Sequence, residues 1–185
     1  MKVHTTSIPG VLIVEPKRHG DARGFFSETW NSRALRAEGI DIAFVQDNAS
    51  LSADPGTLRG LHYQAPPHAQ TKLVSCAQGG ILDVVVDVRR GSPTFGQNFG
   101  VELSFENGLQ LLVPKGCLHG FLTRVENTVV TYKVDDFYSA EADGAVHWAS
   151  CGIDWGLDNT PVLSEKDEAA PALDAFDSPF VWEAA

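Results

Sequence analysis

The chain has 185 residues, with 14 Lys and Arg against 24 Asp and Glu, for a formal net charge of -10. No block of like charge stands out. General binding to nucleic acid or to an anionic membrane is therefore disfavoured, while a local cluster of Arg and Lys can still hold a small anion. A hydrophobic fraction of 43% and a charged fraction of 21% are ordinary for a globular protein, and the length suits one domain over 1–185 with a sizeable core.

The start, Met1-Lys2-Val3-His4-Thr5-Thr6, lacks the apolar stretch of a signal peptide. The longest apolar run, Ile81 to Val88, is interrupted by Asp83 and Asp87 and is too short to span a bilayer. Cys76, Cys117 and Cys151 are odd in number and have no CxxC spacing, so they read as small buried hydrophobes in a reducing compartment. These features point to the cytoplasm.

In chain order, a short strand is expected at Val11 to Glu15. A helix follows at Asn31 to Glu38, with Asn31 or Ser32 as N-cap and Gly39 as terminator. Further strands are expected at Phe44 to Asp47, Lys72 to Ala77, Ile81 to Val88, Phe99 to Ser104, Leu109 to Val113, Gly120 to Thr123 and Thr128 to Val134. Turn signals separate them at Asp54-Pro55-Gly56, Gly79-Gly80, Arg90-Gly91-Ser92-Pro93 and Glu106-Asn107-Gly108. Many short strands at this spacing predict an all-β antiparallel sandwich or barrel. The last third is loop-rich, with a capping-box variant at Ser164-Glu165-Lys166-Asp167 that can open a short helix. Trp30, Trp148, Trp155 and Trp182 read as core or interface aromatics.

The densest chemistry lies in Arg59-Gly60-Leu61-His62-Tyr63-Gln64, where a cation, a glycine and an imidazole fall within four residues of a strand-like segment. Alternation places Lys72 with Val74 and Cys76, and Tyr132 with Val130 and Val134, on apolar faces that point inward. An inward phenol needs a hydrogen-bond partner or a substrate. Strict alternation also puts Arg59 and His62 on opposite faces, so both reach one pocket only if Gly60 marks a bulge or the strand ends there.

Gly108-x5-Pro114-x-Gly116-x2-His119 resembles the second motif of the cupin superfamily, with Thr123 where an Asn is usual. At the place of the first motif stands His62-Tyr63-Gln64, without a second His. One or two imidazoles without the further ligands make a poor divalent-metal site, so no metal is expected. The resemblance implies a double-stranded β-helix or jelly roll with a few short helices.

A narrower resemblance covers most of the chain. Asp21-Ala22-Arg23-Gly24-Phe25-Phe26-Ser27-Glu28, Phe44-Val45-Gln46-Asp47-Asn48, Leu58-Arg59-Gly60-Leu61-His62, Gly91-Ser92-Pro93-Thr94-Phe95-Gly96, Tyr132-Lys133 with Tyr138-Ser139, and Leu163-Ser164-Glu165-Lys166-Asp167 closely resemble the dTDP-4-dehydrorhamnose 3,5-epimerase family. The chain departs from the family pattern at Cys117-Leu118 and at Ala140, and neither change removes a group that moves protons. The resemblance implies inversion of C3 and C5 of dTDP-4-dehydro-6-deoxyglucose, no cofactor, and a homodimer. A relative inverting only C3 or only C5 shares the same base and anion site. A metal-dependent cupin oxygenase and a non-catalytic sugar-nucleotide binder are the readings from other classes.

That chemistry needs a base over the carbon, a stabiliser for the enolate oxygen, and an acid on the opposite face of the ring. His62 is the candidate base, since an imidazole titrates near neutral pH. Asp167 reads as a helix-capping residue by spacing, and the resemblance makes it the partner of His62. Lys72 is the candidate for the enolate, and Tyr132 for the acid. By resemblance, His119 lies near the sugar or supports Lys72 and the ketone oxygen. Arg59, Arg23, Gln46 and Asn48 are the diphosphate candidates, Arg being suited to phosphate by its planar fork. Phe26, Glu28 and Tyr138 are the candidates for thymidine, with N-terminal residues expected to reach a neighbouring subunit's site.

Overall fold

The computed structural model describes residues 1–183. Its strands are β1 (Lys2–Thr5), β2 (Leu12–Glu15), β3 (Arg18–Asp21), β4 (Gly24–Ser27), β5 (Gln46–Ser52), β6 (Leu58–Gln64), β7 (Lys72–Gln78), β8 (Gly80–Asp87), β9 (Asn98–Ser104), β10 (Gln110–Val113), β11 (Cys117–Thr123), β12 (Thr128–Val134) and β13 (Asp143–Ala145). Two short helices, α1 (Ser32–Ala37) and α2 (Glu165–Glu168), complete the set with one 3-10 turn at Leu173–Ala175.

Six strands form one sheet in the order β1-β2-β10-β7-β12-β5, and five form a second in the order β13-β6-β11-β8-β9. Their pairings are antiparallel. The inner faces meet over Val74, Cys76, Ile81, Val85, Leu103, Leu111, Val113, Phe121 and Val130. Each such fully buried aliphatic contributes about 1.5–3 kcal/mol relative to exposure. This is the jelly-roll barrel that the strand spacing and the cupin motif predict.

Both outer faces are also covered. Residues Val146, Cys151, Trp155 and Phe180 of the C-terminal segment pack on Leu58, Leu61, Val84, Val86, Leu118 and Leu122. Leu35 of α1 and Ile40 pack on Val14, Leu73 and Leu112 of the other sheet. β8 and β11 are thus buried on both sides, which is why they read as near-continuous apolar runs. Among the described residues no helix is long and apolar enough to cross a membrane.

The helix signals hold. Asn31 Oδ1 accepts from the N–H groups of Arg33 and Ala34, and Gly39 beyond the end has a φ of +84°. Ser164 caps α2 by accepting from Asp167 N–H. Two of the expected strands differ from expectation by more than one residue at a boundary. The strand expected at Phe44 to Asp47 begins at Gln46 and runs to Ser52, and the one expected at Gly120 begins at Cys117. β5 is an edge strand with an exposed outer face, so its polar residues mask it as a loop. β1, β3, β4 and β13 lack a clear β-type run and were not expected. Of the tryptophans, Trp155 is buried, Trp148 packs on the outer core, Trp182 lies under Arg89 at 4.4 Å, and Trp30 meets Phe44 edge-on at 6.5 Å. All three cysteines are free and buried.

Candidate active site

A cavity of about 250 Å³ opens at the barrel mouth. β6 gives it His62, Tyr63 and Gln64; β7 gives Lys72; β12 gives Tyr132; β5 gives Gln46 and Asn48. Gln70, Tyr138, Asp143 and Lys166 complete the lining. A larger hollow, about 370 Å³, lies against Trp30, Leu73, Thr131 and Lys133. Tyr132 and Asn48 border both hollows, while His62 and Lys72 line only the smaller one.

His62 Nε2 lies 2.6 Å from Asp167 Oδ1. A carboxylate only accepts, so Nε2 carries the proton and donates it, leaving the Nδ1 lone pair available. Asp167 is 2% exposed, and its Oδ2 accepts from Gly60 N–H at 3.3 Å. Burial raises its pKa, but the hydrogen bond and charge of His62, with the bonds involving Gly60 and Ser164, outweigh burial and hold it below the usual carboxylate range. The Asp167 carboxylate bonds to His62 and Gly60 rather than to the Ser164 backbone N–H that a capping box uses.

The bulge at Gly60 is present. His119 pairs with His62 and Phe121 with Arg59, so β6 spends one more residue than β11 over this stretch. Leu58 and Leu61 both pack in the outer core, while Arg59 and His62 turn the other way. Gly60 has a φ of +123°, and a Cβ there meets Gly120 Cα at 2.6 Å and His119 O at 2.7 Å. Only glycine fits this crossing.

Lys72 has no carboxylate within salt-bridge distance among the described residues. Its stem is tightly packed while part of its surface faces the cavity. Burial pushes its ammonium down to about 8, against the opposing influence of Asp143 and Asp83. An unpaired ammonium in a confined cavity is suited to a developing oxyanion. Nearby, His119 Nε2 donates to the fully buried Asp83 at 2.7 Å, and Asp83 Oδ2 has no hydrogen-bond partner among the described residues.

Tyr132 faces inward as its parity predicts, opposite Asn48 on β5 and Val74 on β7. Burial raises its pKa, and the Arg59 charge acts in the opposite sense. Arg59 does not line the cavity, and its guanidinium bonds to Ser52 and to the Leu51 carbonyl. Gln46 Nε2 donates to Asn48 Oδ1 at 2.8 Å, and Gln46 Oε1 accepts from Tyr138 N–H at 3.3 Å. The exposed Tyr138 ring flanks the mouth, its hydroxyl donating to Asp143 at 3.4 Å.

Arg23, Phe26 and Glu28 are elsewhere. They lie on or just after the exposed β3–β4 hairpin. Arg23 is paired with Asp21, Phe26 is 68% exposed, and Glu28 accepts from Asn31 at 3.2 Å. None lines the cavity of its own chain.

Sequence reasoning did not assign Asp83, Asp143, Gln64 or Lys166. Asp83 had a signal, since its parity with Ile81 and Val85 puts a carboxylate on the inner face of an apolar strand. Lys166 precedes Asp167 in the Leu163–Asp167 segment, and it pairs with Asp143. Asp143 lies in a loop-rich stretch and gave no signal. Among the described residues no group of three or more His, Cys, Asp or Glu side chains is arranged to hold a metal ion.

Comparison with known proteins places the chain in a family. The family model described as dTDP-4-dehydrorhamnose 3,5-epimerase matches residues 5–175. A protein of that name from Sinorhizobium fredii is 49% identical over 175 residues, covering 94% of this chain and 90% of the relative. The Bacillus anthracis enzyme of that name, solved with TDP and PPi bound, superposes with a TM-score of 0.91 at 49% identity over 93% of this chain and 99% of that one. A dTDP-6-deoxy-D-glucose-3,5-epimerase from Legionella pneumophila, in complex with dTDP-4-keto-L-rhamnose, gives a TM-score of 0.94 at 42% identity over 99% of both chains. The chain belongs to the dTDP-4-dehydrorhamnose 3,5-epimerase family.

Proposed function

We propose that the protein inverts C3 and C5 of dTDP-4-dehydro-6-deoxy-D-glucose to give dTDP-4-dehydro-L-rhamnose. Family membership and the dTDP-sugar ligands of its relatives support the substrate. The observation that carries the mechanism is the convergence of His62 with its Asp167 partner, Lys72 and Tyr132 on one cavity.

Both carbons are α to the C4 ketone. His62 Nδ1 takes the proton from carbon, and the C–H electron pair moves onto the C4 oxygen as an enolate. The ammonium of Lys72 meets that negative charge, with His119 and Asp83 beside it. The Tyr132 hydroxyl returns a proton to the opposite face, and solvent restores both groups. Asp167 keeps the imidazole in the Nε2–H tautomer and stabilises the imidazolium that forms. The step is redox-neutral and needs no cofactor.

Arg59, Gln46 and Asn48 are assigned to the diphosphate and Tyr138 to the thymine. Arg23, Phe26 and Glu28 stand on an exposed hairpin, and in a homodimer they complete the partner's cavity. Sedimentation tests that assembly: a dimer is expected, and a monomer with full activity contradicts it. The free buried cysteines suit a reducing cytoplasm.

Borohydride reduction of the product tests the reaction. Reduction gives both C4 epimers, so L-rhamnose and 6-deoxy-L-talose are expected from inversion at both carbons, while 6-deoxy-L-idose and 6-deoxy-L-altrose, inverted only at C5, overturn the double inversion. Reduced sugars of the D series inverted only at C3 overturn the double inversion, and unchanged starting sugar overturns the activity.

A further inference from the structure

We infer that Ser52 is a positioning residue that orients the Arg59 guanidinium for the substrate diphosphate, a role that rests on the assignment of Arg59 above. The two residues belong to different sheets. Ser52 ends β5 of the six-stranded sheet, and Arg59 lies on β6 of the five-stranded one. The inner face of β5 carries a polar row, Gln46, Asn48, Ser50 and Ser52, whose first two members line the cavity. Ser52 is 3% exposed, so its hydroxyl is held in place by packing.

Arg59 Nε donates to Ser52 Oγ at 3.2 Å, and Nη2 donates to Leu51 O at 3.1 Å. Two bonds from one planar group fix its plane as well as its position. An arginine has many rotamers, and holding one of them before binding removes part of the ordering cost. The chemistry of the two acceptors matters equally. A hydroxyl and a carbonyl orient the guanidinium without neutralising it, and Arg59 has no carboxylate partner among the described residues. Its full charge and remaining Nη donors stay available to an anion, and the same charge acts on Tyr132.

The test measures dTDP affinity by calorimetry and steady-state kinetics with the sugar nucleotide. Loss of one neutral support predicts that Ser52→Ala raises the dTDP Kd and the substrate KM by about three- to tenfold, with kcat within about twofold. Ser52→Thr, which keeps the hydroxyl, restores both constants. Ser52→Cys, close in volume but a weak acceptor, behaves like Ser52→Ala and serves if alanine impairs folding. In an Arg59→Ala background, Ser52→Ala adds nothing. Wild-type affinity in Ser52→Ala or Ser52→Cys, while Arg59→Ala binds dTDP weakly, overturns the inference alone. An equal loss in the Arg59→Ala background also overturns it, because the effect is then structural. Wild-type dTDP binding in Arg59→Ala removes Arg59 from the diphosphate site, and the inference falls with that assignment.

Discussion

His62 and Asp167, separated by 105 positions, are joined by a 2.6 Å hydrogen bond at the edge of the cavity. The same carboxylate holds Gly60 N–H, so one buried acid fixes both the imidazole and the bulge that aims it. Asp167→Asn keeps the volume but loses the charge that sets the tautomer. Turnover is expected to fall by about a hundredfold or more, as for an impaired general base. Initial rates on the keto-sugar check it, and a loss below threefold contradicts the pairing. The folded pKa of Asp167 is depressed, so its contribution to stability is full above the usual carboxylate value of 3.8 and is lost as pH falls through the lower folded value. Wild type should therefore lose more stability on acidification than Asp167→Asn.

Lys72 links activity and stability with opposite signs. Its ammonium is pushed down to about 8 from the ordinary 10.5. Charge at this position is lost as pH rises through about 8, and turnover is expected to decline along that limb. Between about 8 and 10.5 the unfolded chain binds the proton that the folded chain has released, so stability rises with pH through this group. Lys72→Met removes both effects and lowers turnover by about a hundred- to a thousandfold, the range for one lost oxyanion donor. Parallel rate profiles and thermal melts of the two proteins measure the difference. An alkaline limb unchanged in Lys72→Met assigns it to another group.

Gly60→Ala should be severely destabilising, by about 3 kcal/mol or more, because the new Cβ meets two backbone segments rather than a yielding side chain. Denaturant unfolding gives the value. A variant as stable as wild type with full activity shows that β6 and β11 part more easily than this crossing implies.

Tyr132→Phe keeps the ring and removes the hydroxyl proposed as the acid. Exchange of a sugar proton with solvent should persist through His62, while the yield of inverted product falls. Mass and NMR analysis of the recovered sugar separates the two. If neither quantity changes, Tyr132 supports packing only.

Much of this arrangement is legible in the sequence. Alternation places Lys72 and Tyr132 on inner faces because β7 and β12 pair without a break from Lys72 to Cys76 and from Val130 to Val134, beyond the register shift at Val129, and are buried on that side. The Arg59–His62 conflict pointed to a bulge at Gly60 because the period of a strand is fixed at two. Asp167 was legible only as a cap, since its partner is 105 residues away and spacing does not encode contacts between distant segments. β5 was misplaced toward Phe44 because an edge strand with a polar inner row lacks an apolar period. The hairpin carrying Arg23, Phe26 and Glu28 shows the same limit: its local sequence is distinctive, but nothing local says that it lies away from the cavity of its own chain.

In the proposed mechanism His62 takes protons from both carbons flanking the ketone. Proton NMR of the keto-sugar in deuterated water, with wild type and His62→Ala side by side, tests it most directly. Wild type should place deuterium at C3 and at C5, and His62→Ala should slow both by about a hundredfold or more. Label entering at either carbon at the wild-type rate in His62→Ala contradicts the account.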